Sequence, residues 1–256
     1  MTFPNRYRPS AGQGARDATA PGLRPVAAAS GKRLASLIYD LVREQLLEGA
    51  YQAGERLQIE MLKAEYGVSK QPIMDALRRL SSDGLIEIIP QVGCRVPVYE
   101  PEDIADFFAI FGGTEGAVAG VAAQRRTAEQ LNSLTAINAD IMRLTADPSS
   151  SARAHRYRVL NRQFHGIVHD MAHSPVVAGI SRRMWDMSDL IINTSGAPQP
   201  LAFAVPARYE DHERIIAALQ RADPEGARAE MGAHILGTAA VIHPPAGGPG
   251  PYPAQS

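Results

Sequence analysis

Residues Leu57 to Leu80, reading LQIEMLKAEYGVSKQPIMDALRRL, constrain the fold more than any other stretch. Leu57, Met61 and Leu62 recur at helical spacing and predict a short helix with one apolar face. Gly67 interrupts that period, as a turn needing relaxed backbone geometry does. Ser69 stands at a helix N-cap position, and Pro72 falls in the first turn, where its missing N–H costs little. Ile73, Leu77 and Leu80 form the inward stripe of the second helix, leaving Lys70, Gln71, Met74, Arg78 and Arg79 on its other faces. Two helices about a glycine turn, with a basic outer face, make a helix-turn-helix pattern. An ordinary helical hairpin with solvated arginines has the same spacing, so the pair alone leaves both open.

The flanks narrow the choice. Lys32 to Glu48 carries Leu34, Leu37, Ile38, Leu41, Val42 and Leu46 on one wide helical face, and Gly49 ends it. After Leu80, Ser81-Ser82-Asp83-Gly84 stops the second helix. Leu85 to Ile89 is expected to be a strand, Pro90 to Gly93 a turn, and Cys94 to Val98 a second strand with Val96 and Val98 on one side. Three helices and a hairpin spell a winged helix-turn-helix. Arg95, just past the turn, is placed to reach a phosphate or the minor groove.

From Tyr99 the pattern becomes helical throughout. Helices are expected at 102–123, 128–145, 152–171, 175–193, 206–221 and 224–241, broken at Asp147-Pro148-Ser149, Ser174-Pro175, Ser195 to Pro198 and Asp223-Pro224. Residues 1–30, rich in Pro, Gly, Ala and Arg, read as a disordered arm, and 243–256 as a disordered tail. The expected fold class is mainly α: a winged helix-turn-helix over 31–98, then an all-α antiparallel bundle over 99–242. A net charge of −1 argues against indiscriminate nucleic-acid binding but not against a locally basic face. A single cysteine, Cys94, excludes an intramolecular disulfide and suits a reducing cytoplasm. No apolar run is expected to reach membrane-spanning length, and the N-terminus lacks a secretory apolar region.

Residues 33–98 resemble the DNA-binding domain of the GntR family of bacterial transcription regulators. The resemblance rests on Leu47-Glu48-Gly49, Gly54-Glu55-Arg56-Leu57, Tyr66 through Pro72, Ala76 through Leu80, Asp83 through Ile86, and Gly93 through Val96. It implies that Ser69 to Leu80 enters the major groove. Lys70, Gln71 and Met74 then meet base edges, while Arg78, Arg79 and Arg95 hold phosphates. The family usually has Arg where Lys70 and Met74 stand, so a shifted base preference is expected.

Histidine carries the chemistry of the bundle. Asn161 and His165 share a helix face, and His212 and His234 lie on later helices. Spacing alone leaves His155, His169, His173 and His243 in competition, and solvated or core histidines remain an open alternative. Residues 100–240 are similar to the FCD effector domain of FadR-like members of the family. Asn161-Arg162-Gln163-Phe164-His165, Glu210 through Leu219 and Ala227 through His234 carry that likeness. It implies a divalent metal on Asn161, His165, His212 and His234, with Asn161 where many members have Asp. Zn or Ni suits imidazole, and Mn is a further choice. The likeness also places an effector pocket at Phe111 and Glu115, with Phe111 where the family often has a ligand-pairing Arg. The expected molecule is a homodimeric, cytoplasmic, ligand-responsive repressor of a DNA operator, with no enzymatic activity. Two alternatives use the same bundle: a metal-dependent hydrolase with Glu210, Asp211 or Glu213 as base, and a metal-free dimerisation scaffold.

Overall fold

The computed structural model describes residues 31–195 and 200–242. The expected arm, the tail and His243 lie outside the described residues, as do Gly196 to Pro198 of one expected break. Helix α1 (Gly31–Leu47) is followed by β1 (Arg56–Leu57), α2 (Ile59–Tyr66), α3 (Lys70–Ser82), β2 (Glu87–Ile89) and β3 (Gly93–Arg95). The strands form one antiparallel sheet in the order β1-β3-β2. Six further helices follow: α4 (Pro101–Arg125), α5 (Ala128–Arg143), α6 (Ser150–Ala172), α7 (Pro175–Thr194), α8 (Pro200–Gln220) and α9 (Pro224–Ile242). The fold is mainly α, a winged helix-turn-helix joined to a helical bundle.

The winged helix-turn-helix, here the reader, closes on its own apolar core. Ile38, Val42 and Leu46 of α1 meet Ile73, Leu77 and Leu80 of α3, with Leu85, Cys94 and Val96 beneath them. Gly67 caps α2 at φ 65°, in the left-handed region that glycine enters without steric cost. Ser69 is the N-cap residue of α3, although its side chain makes no capping hydrogen bond.

Four local expectations need correction. Leu57 is in β1, paired with Cys94, so the helix starts at Ile59; Met61 is exposed, whereas Leu62 is buried. A two-residue strand is too short to show period-two patterning, so the apolar spacing looked helical. The hairpin strands are shorter than expected, and Val98 lies past β3, exposed while Val96 is buried. Helix α8 begins at Pro200, with Pro206 inside it. Its opening turns bury Ala202 and Val205, the latter against Ile141, Leu144 and Tyr157, which offsets a helix-interior proline. Finally, α4 has the length and composition of a membrane span. Its Ile104, Phe108, Phe111, Val118 and Ala122 are buried in the bundle core, which accounts for that composition.

The bundle positions its site through close packing of α4 on α9. A Cβ added at Gly116 would come within 2.7 Å of the Arg228 carbonyl oxygen. Helix α7 then ties the two cores together, because its buried Leu190 packs into the core of the reader.

Candidate metal centre and DNA-reading face

Helices α6, α8 and α9 bring His165, His212 and His234 together, with ligand nitrogens all within 4.8 Å of one another. All three side chains are buried. Phe164 holds one wall, its ring stacked on His212 at 3.9 Å between centroids, and Trp185 lies 4.2 Å from the His165 ring. Burial is the chief cause that holds each imidazole below its usual pKa. Neighbouring His234 and His212 rings add to it at His165, while at His234 a bond to Asp211 opposes it. Neutral imidazoles are the form that ligates metal.

The outer nitrogens are oriented. His212 Nδ1 lies 3.1 Å from Asn138 Oδ1, and the Asn138 amide donates in turn to the Tyr209 carbonyl at 3.3 Å. His234 Nδ1 lies 3.2 Å from Asp211 Oδ2, and Arg208 holds the same oxygen at 2.8 Å. Burial alone would raise the Asp211 carboxyl, but the His234 bond and the Arg208 and Arg214 charges hold it below its usual value. Placing the protons on Nδ1 leaves Nε2 as the ligating atom of both rings. His212 Nε2 and both nitrogens of His165 are buried with no hydrogen-bond partner. Unpartnered buried nitrogens are costly unless something coordinates them. The residues therefore fit a divalent cation.

Asn161 is on the same helix as His165 and is buried, with Tyr157 donating to its Oδ1 at 3.2 Å. Asn161 and His234 line a shared void of about 20 Å³, room for roughly one water-sized group. Of the residues expected in the effector pocket, Phe111 is fully buried, edge-on to Trp185 at 4.9 Å. Glu115 is buried beside His169 and Ser181. His165, His169, Ser181 and Trp185 line a cavity of about 300 Å³ with Arg162 and Arg182. The competing His155 is instead bound to Glu48 at 2.8 Å.

On the reader, Lys70, Gln71, Arg78 and Arg79 are exposed on α3, and Met74 is half-buried against the reader core. Asp75 tethers two of them: Gln71 Nε2 donates to its Oδ1 at 3.0 Å and Arg78 Nη1 at 2.9 Å. Arg79 leans back on α1, donating to Ser36 Oγ at 3.0 Å and covering the Tyr39 ring at 4.1 Å. Arg95 Nε donates to Glu87 at 2.7 Å, and Arg56 stands opposite Arg95 in the β1–β3 register. Arg56 carries no signal of this placement in the sequence, because only the sheet pairing puts it there.

An ion network joins the two regions. Arg43 of α1 binds Asp186 of α7 with its Nε at 2.7 Å. Arg162, next to Asn161, binds Asp186 at 3.0 Å and Asp189 at 2.7 Å. Arg158 of α6 reaches Glu44 and Glu48 of α1. Asp186 and Asp189 are buried, and burial pushes the Asp189 carboxyl up against the pull of Arg162. Sequence patterning offers no signal for this network beyond the pair of acids one turn apart on α7.

Of the bases named for the hydrolase alternative, Asp211 is tied to His234 and two arginines, Glu213 accepts from Asn138, and Glu210 is exposed. Family models agree with the geometry. Residues 34–96 match the model described as bacterial regulatory proteins, gntR family, and residues 110–237 match the FCD domain. The chain is 21% identical over 199 residues to an uncharacterized HTH-type transcriptional regulator, YdhC, of Bacillus subtilis (strain 168), covering 77% of this chain and 85% of that one. It is 20% identical over 209 residues to the HTH-type transcriptional repressor GlaR of Escherichia coli (strain K12), covering 80% and 93% respectively. The fold is shared with the solved structure of E. coli McbR/YncC, at a TM-score of 0.66 and 19% identity over 82% of this chain and 96% of that one. These families and relatives are regulators rather than enzymes, and the chain belongs to the GntR family of bacterial transcription regulators, with an FCD domain behind its DNA reader.

Proposed function

We propose that the protein is a cytoplasmic, homodimeric repressor whose operator affinity responds to a small molecule bound beside a divalent metal. The name of the E. coli relative, a repressor, supports the sign of regulation. The observation that carries the metal reading is the buried histidine triad, with two rings oriented through Nδ1 and His165 and His212 left with unpartnered nitrogens. His165, His212 and His234 would hold the ion, with Asn161 as a neutral oxygen donor. Imidazole-rich ligation suits Zn or Ni better than Mn. When bound, the ion supplies an electrophilic anchor for an oxygen or nitrogen donor of the effector.

The chain's own residues do the rest. Lys70, Gln71 and Met74 face base edges, and Arg78, Arg79, Arg95 and Arg56 neutralise phosphates. Two copies place two α3 helices on a two-fold operator. The cavity beside His165 receives the effector, with Phe111 packed behind Trp185 and Glu115 bonded behind the lining residues Ser181 and His169. Arg162 lines this cavity and grips Asp186, the aspartate that holds Arg43 of α1. An effector that favours one arrangement of Arg162 thereby favours one arrangement of the reader.

The test is fluorescence anisotropy of the purified chain on DNA from its own promoter region, with metal supplied or removed, against a panel of small acids, sugars and apolar metabolites. A compound that shifts operator affinity in wild type but not in His212→Ala supports the reading. Operator binding indifferent to metal and to every compound favours the dimerisation scaffold.

A further inference from the structure

His212 and His234 each have an oxygen facing Nδ1, but His165 buries both ring nitrogens without a hydrogen bond. The group facing its Nδ1 is Glu115, with Oε2 at 4.0 Å, about 1 Å beyond hydrogen-bond reach. Glu115 is only 1% exposed. Its carboxylate is engaged elsewhere: Ser181 Oγ donates to Oε1, and His169 Nε2 lies 3.1 Å from both oxygens. Ser181 and His169 both line the 300 Å³ cavity.

We infer that Glu115 is a positioning residue of the metal centre, the acceptor for His165 Nδ1, and that Ser181 competes with His165 for its carboxylate. The inference rests on the proposed metal reading. A ring that ligates through Nε2 carries its proton on Nδ1, and a buried N–H requires an acceptor. With Glu115 in that role all three histidines share one design, an oxygen on Nδ1 and Nε2 toward the centre. Glu115 also brings the negative charge that Asn161 does not. A ligand whose acceptor groups draw Ser181 and His169 into the cavity releases Glu115 to His165, so ligand and metal strengthen each other's binding.

Competition between the metal-free full chain and a chelating dye for Zn²⁺, together with the visible absorption of Co²⁺, tests this on wild type, Glu115→Gln and Ser181→Ala. Gln keeps the size and an acceptor for Ser181 but loses the charge. It is expected to weaken metal binding about 10–100-fold. Ser181→Ala is expected to tighten it, an opposite sign that a merely structural disturbance does not produce. Wild-type affinity in Glu115→Gln overturns the inference, as does weakening in both variants. If Glu115→Gln fails to fold, judged by its metal-free melt, Ser181→Ala decides: tighter binding supports the inference, and unchanged or weaker binding overturns it. A wild type that binds neither ion overturns the metal reading itself and this inference with it.

Discussion

A single amide, Asn138, decides which nitrogen of His212 is available, because its Oδ1 lies 3.1 Å from Nδ1 inside a fully buried pocket. Replacing it with Leu removes that acceptor and strands a buried N–H. Metal affinity is expected to fall about 10–100-fold in a dye-competition titration, with a stability loss of about 1–3 kcal/mol in a denaturant melt. On the reader, Arg78 is an exposed cation tethered to Asp75. Arg78→Ala is expected to weaken DNA binding uniformly across sequences and to reduce the salt slope by about 0.9. Lys70→Ala is expected to change sequence preference more than the slope. Anisotropy at several salt concentrations separates the two. The metal triad was legible only through motif likeness, since spacing left other histidines in competition. Asn138 and Glu115 gain their partners across 74 and 54 positions of chain, which no local period records.

At the scale of elements, the glycines of α4 serve different ends. Gly116 meets a backbone oxygen of α9, which cannot move aside as a flexible side chain could, whereas Gly113 has open space around its Cβ position. Gly116→Ala is expected to destabilise by about 1–3 kcal/mol through overpacking. Gly113→Ala is expected to be neutral or to stabilise by up to about 1 kcal/mol through helix propensity. Thermal or denaturant melts of the two variants check the contrast. Long helices were legible because their apolar period runs over many turns and their ends carry signals, such as the Thr127/Gln130 capping box of α5. The start of α8 is not, because a proline is a common first-turn residue and Pro206 carries that signal from inside the helix. Strand β1 was not, because its two residues are defined by pairing with β3 and not by their own pattern.

For the whole molecule, the junction of α1 with α6 and α7 matters most, since a partly buried ion network joins the bundle to the reader there. Arg43 and Arg162 share Asp186, and Asn193 Nδ2 donates to the Leu47 carbonyl at 2.6 Å. Asp186→Asn is expected to cost about 1.5–3 kcal/mol, as charge-assisted hydrogen bonds are lost, and to uncouple effector from operator binding. Glu48 gives this junction an acid limit. Burial would raise its carboxyl, but the His155 hydrogen bond and the Arg158 charge hold it below the ordinary 4.5. A depressed acid adds stability that is complete above the unfolded value and lost as pH falls through the folded one. The melting temperature is therefore expected to drop as pH falls below 4.5, and to drop less in Glu48→Gln. The most direct test of the central claim is a Zn²⁺ titration of the metal-free full chain in competition with a chelating dye, for wild type and His212→Ala. A single saturable high-affinity site in wild type that disappears in His212→Ala is the expected result. No saturable uptake in wild type, or uptake retained in His212→Ala, contradicts a metal centre at the triad.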